Sequence, residues 1–240
     1  MERLVVNEIF LSLQGESSWA GWPCVLVRLT GCNLRCAYCD TAFAFTEGQT
    51  MALESILERV AVLARPWGPP GGRLPLVELT GGEPLAQPAA LELMRRLCDQ
   101  GYTVLLETNG SLDITPVDRR VHRIMDWKCP SSGEADRNRW ANLEALQAAD
   151  EVKFVIGTLE DYHWAQQVIG AQSLASRCPV LFSWATPAMG DPGPGLKPVP
   201  AGQTPITQRE LAERILADGL PVRFQLQLHK VVWPADRRGV

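Results

Sequence analysis

CVLVRLTGCNLRCAYCDT, residues Cys24–Thr41, is the stretch from which the rest of the chain is read. It opens as a strand, apolar throughout except for one charge, Arg28. After Leu29 it breaks into a loop, 31–43, that carries Cys32, Cys36 and Cys39 in the spacing C-x3-C-x2-C, with Tyr38 directly before the third cysteine. In parallel α/β folds the chemistry collects on loops at the C-terminal ends of strands, and this segment has that layout.

The same layout recurs on both sides. Upstream, Leu4–Leu13 alternates loosely as a strand and ends in Gln14-Gly15-Glu16. Downstream, Met51–Leu63 places Leu53, Ile56, Leu57, Val60 and Leu63 at helical spacing. Arg65–Pro75 is a Pro/Gly-rich loop. Leu76–Leu79 reads as a strand closed by Thr80-Gly81-Gly82-Glu83-Pro84, followed by a helix over Pro88–Asp99. Strands over Tyr102–Leu106 and Arg123–Trp127 run into Glu107-Thr108-Asn109-Gly110 and Lys128-Cys129-Pro130. Then come a helix over Asn142–Ala149, a strand over Glu151–Ile156, a helix over Leu159–Ile169 and a strand over Pro179–Trp184. A Pro/Gly-rich loop, 186–205, a helix over Gln208–Ala217 and a strand over Val222–Leu228 complete the series. Alternation of this kind predicts βαβ units and a mostly parallel sheet, with the polar strand ends converging on one composite site. A single domain over 1–240 is expected.

Composition narrows the function. The net charge is −4 with no basic run, which argues against a nucleic-acid binder. The N-terminus lacks the basic-then-apolar order of a signal peptide, and no apolar run approaches a membrane span. A cytoplasmic location is therefore expected. Seven cysteines in that compartment read as metal-binding or catalytic before they read as disulfides.

Three of those seven cysteines fall within eight residues. Buried small hydrophobes are one account. Structural zinc wants four ligands in two separated pairs, and Cys24, Cys98, Cys129 and Cys178 are isolated and make no second pair. An electron-transfer cluster meets the same difficulty. A [4Fe–4S] cluster on three thiolates, with one iron left for a small molecule, explains the count best.

At this point the sequence resembles a known family. C-x3-C-x-aromatic-C is similar to the signature of the radical S-adenosylmethionine (SAM) superfamily, in which the free iron is chelated by SAM. Asn7–Glu16, the Cys24–Thr41 stretch, TGGEP, ETNG, Asp150–Phe154 and Gln227-Leu228-His229-Lys230 closely resemble the 7-carboxy-7-deazaguanine synthase family. The resemblance implies a partial parallel (β/α) barrel of about six strands. It also implies a lyase reaction, 6-carboxy-5,6,7,8-tetrahydropterin to 7-carboxy-7-deazaguanine and ammonia, on the route to queuosine. A [4Fe–4S] cluster, SAM, Mg²⁺, an external electron donor of flavodoxin or ferredoxin type, and a homodimer are implied with it.

The family's roles carry over at matching positions. Cys32, Cys36 and Cys39 would hold the cluster, and Thr41 would ligate Mg²⁺. Tyr38, Cys39, Asp40, Gly82, Glu83, Asn109 and Ser131 would meet SAM, with Asp126–Lys128 the alternative register to Ser131–Gly133. Leu13, Gln14, Gly15, Glu16, Arg28, Thr80 and His229 would meet the pterin, and a guanidinium suits its carboxylate. No catalytic acid or base is assigned. Ten residues follow Lys230, more than in many members of that family, so the resemblance does not extend to a C-terminal contact. A glycyl-radical activase and a metal-binding interaction module are the competing readings.

Overall fold

The computed structural model describes residues 2–68, 74–185, 195–234 and 237–240. One sheet runs through it. Its strands are β1 (Arg3–Leu13), β2 (Pro23–Leu29), β3 (Gln49–Ala52), β4 (Leu76–Gly81), β5 (Val104–Thr108), β6 (His122–Asp126), β7 (Glu151–Ile156), β8 (Val180–Trp184) and β9 (Arg223–Gln225). They lie in the order β3-β1-β2-β4-β5-β6-β7-β8-β9. From β2 to β9 every neighbouring pair is parallel. The other two strands, β1 and β3, pair antiparallel at one edge. The parallel sheet matches the expectation, but with seven parallel strands among the described residues rather than about six.

The helices are α1 (Leu53–Ala64), α2 (Ala89–Asp99), α3 (Ala141–Glu144), α4 (Leu159–Gln172), α5 (Gln208–Ala217) and α6 (Leu228–Val232). Strand period 2 sorts side chains onto two faces. Val25, Val27 and Leu29 on β2, and Val77 and Leu79 on β4, pack in one core with Ile56 and Val60 of α1 and Leu93 and Leu97 of α2. Phe154 on β7 and Phe182 on β8 form a second core with Tyr162 and Ala165 of α4 and Leu211 of α5. The alternate positions make a small inner core of Cys24, Leu76, Leu105 and Ile124. That core plugs the interior, and the polar positions that follow it along each strand form the base of the site.

Two of the elements that differ from expectation show why. Of the expected Asn142–Ala149 helix only its start is helical, within α3, Ala141–Glu144. Asn142 is fully buried and spends its side chain on the Gly110 and Leu112 carbonyls and the Ile114 N–H, while the Asp150 carboxylate accepts from the Gln147 N–H. Tertiary hydrogen bonds thus outcompete propensity. The expected strand Val222–Leu228 stops at Gln225, because the Leu228 N–H pairs with the Gly15 carbonyl at 2.9 Å and the chain then turns into α6. Two capping boxes hold the later helices, Thr158 with Asp161 at α4 and Thr207 with Glu210 at α5. Each is worth about 1 kcal/mol.

Candidate active site

A cavity of about 930 Å³ opens at the C-terminal ends of the parallel strands. That is near the top of the roughly 300–1,000 Å³ range of small-molecule pockets. The cavity is lined by the cysteine loop, by Gln14–Glu16 and Arg28, and by Glu78, Glu107, Asp126 and Lys153.

The cysteine loop is clamped from three sides. The Gly82 N–H bonds the Leu29 carbonyl at 3.1 Å, and the Glu83 N–H bonds the Gly31 carbonyl at 2.8 Å. The approach is so close that a Cβ on Gly82 would lie 2.1 Å from the Gly31 oxygen. Gly81 has φ of +133°, where side chains are strained. The two glycines therefore seat the loop against β4. From the second side, the Arg35 N–H donates to Glu134 at 2.8 Å and the Ala37 N–H to the Ser132 carbonyl at 3.0 Å. From the third, the Lys197 N–H bonds the Arg35 carbonyl at 2.9 Å, while its ammonium reaches Glu134 at 2.9 Å. Gly82→Ala is expected to cost about 3 kcal/mol or more, since the clash is with backbone that cannot yield. A urea-unfolding midpoint equal to that of the parent protein would refute it.

The three thiols are free and line the cavity. Cys32 Sγ accepts from the Leu34 N–H at 3.4 Å and from Asn109 Nδ2 at 3.7 Å. Burial pushes the Cys36 thiol up to about 11 and raises Cys32 as well. Thiols in such a place ionise when a metal supplies the compensating charge. Among the described residues no three of His, Cys, Asp or Glu gather tightly enough for a single ion. In an iron–sulfur cluster each thiolate meets a different iron, so the spread donor set fits a cluster. Thr41 stands at the N-terminus of a 3₁₀ turn, Ala42–Phe45, yet its side chain makes no capping bond. Its hydroxyl lies 3.8 Å from Cys39 Sγ.

Gln14, which also lines the cavity, is buried with both ends of its amide engaged. Nε2 donates to Glu78 at 2.5 Å and Oε1 accepts the Glu16 N–H at 2.5 Å. A Cβ on Gly15 would meet His229 Nδ1 at 2.7 Å, so the glycine makes room for the imidazole. Burial lowers the His229 pKa, which favours the neutral ring. Arg28 gives Nε to Glu8 at 2.8 Å, and its guanidinium lies 5.9 Å and 5.8 Å from the ring centres of Phe10 and Phe43. Thr80 Oγ1 donates to Glu107 at 2.9 Å.

Lys153, nearly buried, bridges three strand ends by pairing with Glu16 at 2.7 Å, Asp126 at 3.1 Å and Glu107. Asp126 also pairs with Lys128 at 2.9 Å.

All the residues expected to form the site line this cavity, except Glu83 and Ser131. Glu83 is fully buried. Its carboxylate accepts from the Thr108 hydroxyl at 2.8 Å, the Asn109 N–H at 2.7 Å and the Leu85 N–H at 3.0 Å, tying the end of β4 to the end of β5. Ser131 is equally buried, with its N–H and hydroxyl both bound to Asp161. Asp126 and Lys128 line the cavity in its place. Asp40, at the rim, pairs with Lys230 of α6 at 2.5 Å.

Residues 186–194 of the Pro/Gly-rich loop lie outside the described residues; of its remainder, Leu196 lines the cavity. The segment after Lys230 returns to the site. Arg237–Val240 lines the cavity, and Arg238 pairs with Glu47 at 2.8 Å and lies 3.7 Å over the Phe43 ring. Sequence reading missed Glu78 and Lys153. The signal was the one that marked Arg28, a charge inside an apolar strand.

Comparison with known proteins places these features in context. Residues 26–130 match the model of the radical SAM superfamily. A 7-carboxy-7-deazaguanine synthase from Chlorobaculum tepidum is 43% identical over 240 residues, covering 99% of this chain and 97% of the relative. One from Koribacter versatilis is 43% identical over 237 residues, with 98% and 99% covered. The crystal structure of QueE from Escherichia coli superposes with a TM-score of 0.68 at 19% identity, covering 95% of each chain, which is a likeness of fold.

Proposed function

This chain belongs to the 7-carboxy-7-deazaguanine synthase family of radical SAM enzymes, and from that premise we propose how its own residues divide the work. It converts 6-carboxy-5,6,7,8-tetrahydropterin to 7-carboxy-7-deazaguanine with loss of ammonia, using SAM and a [4Fe–4S] cluster. One observation carries the division of roles: the three thiols of the loop and Gln14, Arg28 and Thr80 line one cavity.

Cys32, Cys36 and Cys39 would hold the cluster. Tyr38–Asp40, Gly82 and Asn109, with Asp126 and Lys128, would line the SAM side. When bound, these groups supply one-electron cleavage of SAM and hydrogen abstraction from the substrate. The protein's own contribution is positioning, since a fixed geometry converts an encounter into a directed transfer. Arg28 has only its Nε taken among the described residues, so its terminal nitrogens suit a carboxylate in bidentate fashion. Phe10 and Phe43 flank the guanidinium and restrict its swing. Leu13, Gly15, Glu16, Thr80 and His229 complete the pterin side, and His229, neutral by burial, can donate or accept there.

Thr41, whose hydroxyl makes no capping bond and meets Cys39 Sγ at 3.8 Å, is proposed to offer one oxygen to Mg²⁺, which takes few protein ligands and fills its octahedron with water and substrate oxygens. The whole chain, 1–240, is proposed to act as one domain, in a cytoplasmic homodimer served by a flavodoxin- or ferredoxin-type donor.

Arg28→Ala is expected to raise KM for the pterin by about 10–100-fold, the worth of one charge-assisted bidentate contact of roughly 1.5–3 kcal/mol, with a smaller change in kcat. An unchanged KM would remove Arg28 from the substrate site. The assignment as a whole is tested by anaerobic reconstitution with iron and sulfide, then turnover of the carboxytetrahydropterin with SAM and a reductant. Deazaguanine and ammonia in equal amounts support it. Zinc in place of a cluster, or no product from a loaded cluster, would overturn it.

A further inference from the structure

The reaction removes ammonia, so a proton must reach the leaving nitrogen and another must leave a ring carbon. We propose that Glu78, on the inner face of β4 and bonded to Gln14, is the residue that delivers the proton to that nitrogen. The proposal rests on the cavity being the pterin site.

Glu78 lies two residues before Thr80, so the two side chains share one face of the strand. It lines the cavity and is 2% exposed, directly above the apolar plug of Cys24, Leu76, Leu105 and Ile124. Gln14 Nε2 donates to one of its oxygens, which leaves the other as the place for a proton. The Gln14 amide is held in that orientation by the Glu16 N–H on its oxygen.

The other titratable groups facing this part of the cavity fit the task less well. Lys153 and Lys128 are ion-paired, and their partner carboxylates hold their protons well above the ordinary lysine range despite burial. Glu16 and Glu107 are the carboxylates paired to Lys153, and Asp126 is held ionised by Lys128 and Lys153. Burial keeps His229 neutral at the rim. Arg28 gives up no proton, and Cys24 is sealed beneath the base with its thiol pushed far up by burial. Glu78 is left. Burial, and then the charge of Glu107, raise its carboxyl to about 8, so it carries a proton at neutral pH and can release it. A neutral acid beside an ionised carboxylate is the usual arrangement for paired acid and base roles.

The step balances. The C–N bond breaks with its electron pair on nitrogen, and the Glu78 proton completes ammonia. The electron pair of the adjacent C–H bond becomes the new ring double bond, and the proton it releases restores Glu78. No oxidant or reductant is consumed in this step.

Glu78→Gln keeps the bond from Gln14 but has no acidic proton. In the anaerobically reconstituted holoenzyme it is expected to lower kcat for deazaguanine by about 100-fold or more, the usual worth of a general acid, with KM within about threefold. The parent enzyme's kcat is expected to fall as pH rises through about 8, and Glu78→Gln is expected to lose that limb. Parent-like kcat in Glu78→Gln, or a loss confined to KM, would overturn the proposal. So would a parent kcat flat across pH 7–9, a measurement that stands even where the variant does not load its cluster. A parent enzyme that makes no deazaguanine would instead refute the pterin reading of the cavity.

Discussion

Cys36→Ala is expected to fold, to lose most of its bound iron and sulfide after reconstitution, and to make no measurable deazaguanine. Cys36 is the most buried of the three loop thiols, at 8% exposure, and the structure backs its segment with the Ala37 N–H bonded to the Ser132 carbonyl. Removing a sulfur from a buried, preformed donor set leaves no other described side chain to replace it. Even residues that merely support a metal site cost about 10–100-fold when mutated, so loss of a ligand should exceed that range. Cys24→Ala is the control, because Cys24 belongs to the apolar plug and not to the loop. A Cys36→Ala protein with parent-like iron and turnover would remove this cysteine from the ligand set.

Lys153→Met is expected to cost about 3–5 kcal/mol of stability at neutral pH, the range found when one partner of a buried ion pair is removed. The Lys153 side chain is 3% exposed and has three carboxylates around it. Burial alone would favour the neutral amine, but Asp126, Glu107 and Glu16 together outweigh that and hold the ammonium charged. Methionine fills similar volume, so packing loss is small and the expected effect is the repulsion and desolvation of the carboxylates left behind. The sign with pH follows. Asp126 is held below its ordinary range by Lys128 and Lys153, so the stability of that pairing is present at neutral pH and is lost only as pH falls through the lowered value, where the gap between parent and variant should narrow. Urea denaturation at neutral and at strongly acid pH measures both. Equal stability at pH 7 would show that the charge network contributes nothing net.

Lys153 also shows where the sequence could be read and where it could not. The segment EVKFVI was visible as a strand, but its lysine was not singled out from the sequence. Which carboxylates it meets depends on Glu16, Glu107 and Asp126, which come from three other segments. Only the sheet order brings them to one place. Glu83 makes the converse point. TGGEP marked a strand end near a ligand, but its carboxylate is turned away from the cavity and binds β5. The two glycines before it serve the approach of the cysteine loop. The short α3 and the early end of β9 were hidden for a similar reason, since the bonds that shape them are made by Gly110 and Gly15, far off in the chain.

By itself the amino-acid sequence determined the three-thiol loop, the βαβ alternation, the parallel sheet and most of the residues that gather at its strand ends. Those features are local, because periodicity, turn residues and ligand spacing are written in consecutive positions. Tertiary structure alone decided which face of each strand looks inward, which carboxylate keeps its proton, which is clamped by ammonium, and that Arg237–Val240 returns to the cavity. Burial and charge pairing depend on neighbours distant in sequence, and they set a side chain's protonation and reach more strongly than its own identity does.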